Sequence, residues 1–216
     1  MFNSILRALM QTYLLNSIAM WRSFKETNFD SSEKIVDFIL AILFLAAYIA
    51  FPICTYKFLK KNNEKLPDPK FKVKYDSIYQ NVDYHKERAL PSTTLFLGRR
   101  IIFAFVIIFC GVSIVLQVFL ADILCTLLLA YYFTVMPLIS GLANAVQIFN
   151  ECVVITAIWF IFNFTNFVAD PLERYQLGWY FLYFIAFNVI VNVAVLIYTI
   201  GKKIYIAARS YFLERK

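Results

Sequence analysis

The side chains that could carry chemistry in this sequence are a few amides and one carboxylate within or beside long apolar runs. Asn188 and Asn192 are four residues apart, so they share one face of a helix. Asn150 and Glu151 open one apolar run, where we expect the positive end of a helix. Such groups either join helices by hydrogen bonds or line a pathway for ions and polar solutes. The candidates are Asn150, Glu151, Asn163, Asn166, Asn188 and Asn192.

Groups of the kinds that enzymes use are isolated in this chain. Its one histidine, His85, lies in a charged segment, where a solvated side chain is more common than a general base. The four cysteines lie in apolar runs without CxxC or Cys/His spacing, which is typical of small buried hydrophobes. The sequence has no Walker, HExxH, GxSxG or GxGxxG motif. We predict that the protein is not an enzyme and uses no cofactor or metal.

The composition excludes an ordinary soluble domain. The 216 residues are 61% hydrophobic and 16% charged, whereas soluble domains are roughly 25% charged. In water such a chain would expose apolar patches beyond the roughly few hundred Å² that monomers tolerate. The net charge of +7 does not indicate nucleic-acid binding, because the basic residues flank apolar runs, where membrane orientation and anionic headgroups favour them. We predict an all-α, polytopic bundle of transmembrane helices.

Apolar runs of about 20 residues are long enough to cross the hydrocarbon, and they predict five spans, or six if the N-terminal segment also crosses. The first span covers residues 35–56. Residues 57–94 form a basic polar loop, in which Lys70–Lys74 alternates charged and apolar side chains as a short strand or an interfacial stretch would. Residues 95–200 hold four helices, and Gln117–Asp122 is polar enough for the turn between the first two.

The remaining boundaries follow from the same reasoning. The N-terminal segment 1–34 contains an amphipathic helix that either lies in the membrane interface or packs in the bundle, and residues 201–216 form a basic tail. The four predicted helices cover about Leu95–Leu116, Asp122–Ile139, Cys152–Val168 and Leu177–Ile200. A polar link, Ser140–Asn150, joins the second helix to the third.

The distribution of positive charge predicts the orientation. Lys57–Arg100 carries eleven of the 21 basic residues and Lys202–Lys216 carries five. The positive-inside rule places both regions on the cytoplasmic or matrix side, which requires an even number of crossings between them. The four helices predicted from hydropathy satisfy that requirement. Candidates for contact with anionic lipid headgroups are Lys57, Lys60, Lys61, Arg99, Arg100, Lys202 and Lys203.

Several strings between residues 72 and 200 carry a resemblance to a known family. They are Lys74-Tyr75-Asp76-Ser77-Ile78-Tyr79, Leu95-Phe96-Leu97-Gly98-Arg99-Arg100-Ile101-Ile102-Phe103, Asn150-Glu151, Phe164-Thr165-Asn166-Phe167, and Asp170, Glu173, Arg174, Tyr175, Gly178 and Trp179. This order resembles the C-terminal membrane region of large protist surface proteins, which is similar to the fungal TRP-like channel and flavin-carrier membrane domain. The resemblance implies a multi-span domain of channel-like ancestry and no particular activity.

Two functions follow as alternatives. The chain is either a channel-like or transport-associated subunit without catalytic chemistry of its own, or a structural or accessory subunit of a larger membrane complex, for example an energy-transducing one. We expect anionic lipids as partners, together with other membrane subunits or further copies of the chain, and no nucleic acid. The plasma membrane is the favoured location, and an organelle inner membrane is the alternative.

Overall fold

The part of the chain that the structure describes is mainly helical and contains no β-strand. This structure is a computed structural model, and it describes residues 2–26, 31–111, 113–165 and 167–214. Five of its helices, α2 and α4 to α7, are long and apolar enough to cross a membrane. The predicted all-α polytopic fold class is therefore confirmed. In chain order the helices are α1 (Phe2–Lys25), α2 (Ser32–Lys61), α3 (Pro69–Tyr79), α4 (Ser92–Phe109), α5 (Ile114–Val135), α6 (Gly141–Asn163) and α7 (Pro171–Glu214).

The chain divides into two compact units, residues 1–158 and 159–216. The second unit contains the end of α6 and all of α7, where the Phe160 ring packs on Phe181 and Phe184 at centroid distances of 5.4 and 5.8 Å. Helix α7 has 44 residues, which corresponds to about 66 Å, roughly twice the hydrocarbon thickness. The predicted span and much of the basic tail thus form one continuous helix.

In the first unit, α1 packs along α4. At its N-terminal end the Asn3 side chain accepts a hydrogen bond of 2.9 Å from the backbone N–H of Ser77 in α3. At its C-terminal end Lys25 Nζ donates to the Ile108 carbonyl of α4 at 2.7 Å. Helix α1 therefore runs in the same direction as α4, away from the basic loop. In this placement α1 contacts both α3 and α4.

A proline in α2 explains where α1 docks. Pro52 lies inside the helix and has no N–H, so the Tyr48 carbonyl, one turn earlier, lacks its usual helical donor. The Tyr13 hydroxyl of α1 donates to this carbonyl, and the Tyr13 and Tyr48 rings stack at 4.8 Å. Tyr13 is fully buried. A side chain of α1 thus supplies the hydrogen bond that the proline removes from α2.

Replacing Tyr13 by Phe should destabilise the protein, because the Tyr48 carbonyl would be buried without a donor. We expect a loss of about 1–3 kcal/mol, measured by thermal unfolding of the purified protein in mild detergent. In a Pro52→Ala background the restored N–H satisfies the carbonyl, so the same change should cost much less. Tyr175→Phe, at an exposed ring, is the matched control. Equal losses with and without Pro52 would contradict this explanation.

The basic loop contains a helix at the position where the alternating pattern predicts a short strand or an interfacial stretch, so the strand alternative is wrong. Lys70–Lys74 lies in α3, whose first turn is capped by the Asp68 carboxylate, which accepts a backbone hydrogen bond of 2.9 Å. Phe71 and Tyr75 are one turn apart and both pack on Phe58 of α2, at centroid distances of 5.7 and 4.9 Å. The aromatic side chains therefore follow the helical period, which outweighs the short alternation of the lysines.

The turn between α4 and α5 also differs from the prediction. It lies after Phe109 and before Ile114, not at Gln117–Asp122. The Ser113 side chain caps α5 by accepting from a backbone N–H at 3.4 Å. Gln117 is compatible with a helix because its amide donates to the Ile107 carbonyl at 3.3 Å. Asp122 consequently lies about two turns inside α5.

The predicted polar link Ser140–Asn150 is mostly helical. Helix α6 begins at Gly141, and Asn144 fixes the short connector before it by hydrogen bonds of 2.9 and 2.8 Å with the backbone N–H and carbonyl of Leu138. The backbone N–H of Asp83 in the basic loop donates to the Pro137 carbonyl at 2.8 Å. The α5–α6 connector therefore lies against the basic loop, and α6 starts from that side of the first unit.

Candidate functional site

An ion pair lies in the interior of the first unit, between α4 and α6. The guanidinium of Arg99 donates to the Glu151 carboxylate, and the two side chains are 17% and 3% exposed. Glu151 is ten residues from the start of α6, which places it about 15 Å along the helix. Both helices are long and apolar enough to span a membrane. In hydrocarbon each charge would be strongly unfavourable alone, and the pairing offsets that cost.

The structure places Arg99 and Glu151 differently from the sequence predictions. The sequence places Arg99 among the headgroups, but its side chain instead turns inward to α6. It places Glu151 at the mouth of a span, but α6 begins ten residues earlier. The signal that could have found the site is the spacing of Asn144, Gln147 and Glu151, which puts three polar side chains on one face of a helix.

Two further side chains complete the surroundings of the ion pair. Gln147 Nε2 donates to Glu151 Oε1 at 2.9 Å, one helical turn away. Arg99 Nη1 lies 3.9 Å from the sulfur of Cys125, a buried residue of α5. Both carboxylate oxygens of Glu151 therefore accept a hydrogen bond, one from Gln147 and one from Arg99. The contacts join α4, α5 and α6 at one level.

A second carboxylate, Asp122, lies one turn along α5 from Cys125. Its Oδ1 atom is buried and has no hydrogen-bond partner among the residues that the structure describes. Tyr132, buried two turns away in the other direction, is close enough to Glu151 and Arg99 to interact with both electrostatically. The cluster holds one basic and two acidic groups, so it carries a net negative charge when all three are ionised.

These groups form what we call the polar column: Tyr132, Arg99, Glu151, Cys125 and Asp122. Cys125 and Tyr132 belong to the buried face of α5, and Asp122 is adjacent to that face. The ten residues from Asp122 to Tyr132 correspond to about 15 Å, roughly half of the hydrocarbon thickness. Proton relays within membranes use chains of Asp, Glu and His side chains, and two members of the polar column, Glu151 and Asp122, are carboxylates.

None of the predicted amide candidates is a member of the polar column. In the second unit the Asn192 side chain donates to the carbonyl and to the Oδ1 of Asn188, at 2.9 Å each, so this pair is joined within α7. Asn163 is the last residue of α6. Asn150 precedes Glu151 directly and so does not share its helix face. Asn166 lies outside the described residues. Arg99 and Glu151 are two predicted candidates that the structure joins across helices, from α4 and α6.

Most of the basic candidates are exposed, but Arg100 is half-buried. Arg100 donates to the Met10 carbonyl of α1 at 2.8 Å, and its guanidinium lies 4.1 Å from the centroid of the Phe96 ring. This contact with α1 positions its charge beside the N-terminal helix rather than at a free surface. The exposed candidates are Lys57, Lys60, Lys61, Lys202 and Lys203.

Neither a metal centre nor a match to a known protein accompanies this site. Within residues 2–26, 31–111, 113–165 and 167–214, no group of three or more His, Cys, Asp or Glu side chains could hold a metal ion. No protein-family model, curated protein or solved structure matches the chain. The geometry of the polar column is therefore the basis for a functional assignment.

Proposed function

We propose that this multi-pass membrane protein is a channel-like or transport-associated subunit whose polar column carries protons. The observation that supports this most strongly is the buried Oδ1 of Asp122, which has no hydrogen-bond partner among the described residues. A carboxylate at membrane depth is unfavourable, and Asp122 takes no part in joining α4 to α6. Groups of this kind typically mark pathways for protons or ions.

Protons fit the polar column better than larger ions do. A relay of titratable side chains needs no open pore, because the proton moves between neighbouring groups. Asp122, Cys125 and Tyr132 have side chains of ionisable types, and the Cys125 sulfur lies 3.9 Å from Arg99 Nη1. The resemblance of residues 72–200 to membrane domains of channel-like ancestry supports the same class of function.

Changing Asp122 to Asn should lower the proton flux through the protein by about tenfold or more, because an amide of the same size cannot carry a proton. The measurement uses the purified protein in liposomes with a trapped pH-sensitive dye, where a potassium diffusion potential drives protons inward. Asp37→Asn is the matched control, since Asp37 is an exposed carboxylate of α2. An unchanged flux in Asp122→Asn, or a wild-type flux equal to that of protein-free liposomes, would contradict the proposal.

The second candidate function is that of an accessory subunit. It is favoured because both carboxylate oxygens of Glu151 already accept hydrogen bonds. A carboxylate that accepts from both Arg99 and Gln147 is suited to fixing three helices together rather than to releasing a proton. An accessory subunit would purify in one large assembly with other membrane proteins and would show no flux alone. A channel-like subunit would purify by itself or as copies of one chain. The composition of the particle extracted in mild detergent separates the two candidates.

A further inference from the structure

A cleft of about 490 Å³ opens at the basic-loop end of the first unit, between α1, α3 and α4. We call it the loop-side cleft. Arg7 of α1 and Arg100 of α4 line it together with the amide side chain of Gln80, and the described residues that line it include no carboxylate. The cleft therefore has a positive potential, which attracts anions.

The N-terminus of α4 adds to this positive potential. Ser92 and Thr93, its first two residues, line the loop-side cleft. The residue before them, Pro91, makes no capping hydrogen bond through its side chain, and the first turn contains no acidic residue. The 18-residue helix α4 thus presents backbone N–H groups and the positive end of its dipole without a neutralising side chain, which is the arrangement that binds phosphate and sulfate in proteins.

The Ser92 hydroxyl is a second observation, independent of the helix end, that indicates a bound ligand. Ser92 is 4% exposed, and its Oγ is buried without a hydrogen-bond partner among the described residues. A buried hydroxyl without an acceptor is unfavourable. An anionic oxygen in the loop-side cleft would satisfy it.

The two arginines retain donors for such an oxygen. A guanidinium has five N–H groups. Arg7 uses one in a hydrogen bond of 3.4 Å to Gln80 Oε1, and Arg100 uses one in its bond to the Met10 carbonyl. The Met10 carbonyl and the Phe96 ring restrict the orientation of Arg100, so less conformational entropy is lost when an anion binds to it.

We infer that the loop-side cleft binds a phosphate group, with Arg7, Arg100 and the Ser92 hydroxyl as donors. Donors from α1 and α4 approach from different directions, which suits the several oxygens of a phosphate better than a planar carboxylate. The phosphate could belong to the headgroup of an anionic lipid or be a soluble inorganic phosphate, since both present the same oxygens. This inference does not depend on proton transport through the polar column.

Binding is tested by calorimetric titration of the purified, delipidated protein in mild detergent with three probes. They are a short-chain phosphatidic acid, inorganic phosphate, and the matching diacylglycerol, which lacks the phosphate. We expect saturable binding of one equivalent of a phosphate-bearing probe and none of the diacylglycerol. Arg7→Gln should weaken binding by at least about tenfold and Ser92→Ala by about three- to tenfold, since each removes a donor.

The controls separate a lost site from a lost fold. Lys65→Gln, at an exposed lysine of the basic loop, removes one positive charge outside the loop-side cleft and should leave binding unchanged. Variants are compared only where thermal unfolding without ligand matches the parent, and Ser92→Ala is the variant expected to fold even if Arg7→Gln does not. Binding of phosphatidic acid but not of inorganic phosphate supports the inference with a lipid as the source, and equal binding of both supports it with soluble phosphate as a source. No binding by either phosphate-bearing probe, or equal weakening by Lys65→Gln and Ser92→Ala, overturns it.

Discussion

Replacing Glu151 by Leu is expected to destabilise the protein by about 3–5 kcal/mol, because Arg99 would remain buried without its counter-charge. For a chain of this size the loss corresponds to a decrease in Tm of roughly 6–20 °C. The carboxylate also accepts from Gln147, so the variant leaves a second, half-buried donor without its acceptor. Thermal unfolding of the purified protein in mild detergent measures the effect.

A second substitution shows whether the loss comes from the ion pair. The double variant Arg99→Met with Glu151→Leu removes both charges and keeps apolar side chains of similar length, so it should recover most of the stability. Glu173→Leu removes an exposed carboxylate at the start of α7 and should change stability by no more than about 0.5 kcal/mol. A double variant as unstable as Glu151→Leu alone would show that the two residues do not act as a pair.

The fold class could be predicted from the sequence because it depends on composition and on the length of apolar runs. Each run of about 20 apolar residues buries its backbone polar groups only as a helix in hydrocarbon, whatever its neighbours are. The positions of the helix ends could not be predicted equally well. Ser113 and Gly141 mark the starts of α5 and α6, but the sequence offers nearby polar residues, such as Gln117 and Asn150, as competing boundaries.

The ion pair could not be predicted because it depends on the register of α4 against α6. Arg99 and Glu151 are 52 residues apart in sequence, and a rotation of either helix by one residue would separate them. An arginine near a helix end also has a simpler explanation, since its long side chain can reach the headgroups. The shift of both helix starts toward the N-terminus, relative to the prediction, is what moves Arg99 and Glu151 away from the membrane surface.

The docking of α1 is an intermediate case. The sequence shows that Pro52 leaves a carbonyl of α2 without a helical donor. It does not show which hydroxyl replaces that donor, because threonine and tyrosine side chains occur in several neighbouring helices. The contact between Tyr13 and Tyr48 identifies the donor and explains why a helix with polar residues on one side packs among apolar ones.

The second large effect that we expect concerns membrane topology, in which each loop lies wholly on one side of the membrane or the other. Sixteen of the 21 basic residues lie in Lys57–Arg100 and Lys202–Lys216, and positive residues beside spans are retained on the cytoplasmic side. Four apolar helices, α4 to α7, connect these regions. Because four crossings return the chain to the side from which it started, we predict that both regions face the same side of the membrane and that the segment around Asp170 faces the other.

Topology mapping with epitope tags tests most directly that the chain crosses the membrane in this way. One tag is inserted beside Pro67, one beside Asp170 and one after Lys216, each in a separate protein, and protease digestion of sealed vesicles reports which tags are reached from outside. We predict that the tags at Pro67 and Lys216 are protected or cleaved together, while the tag at Asp170 shows the opposite response. Tags at Pro67 and Lys216 on opposite sides would contradict the four crossings, and with them the placement of Arg99 and Glu151 within the membrane.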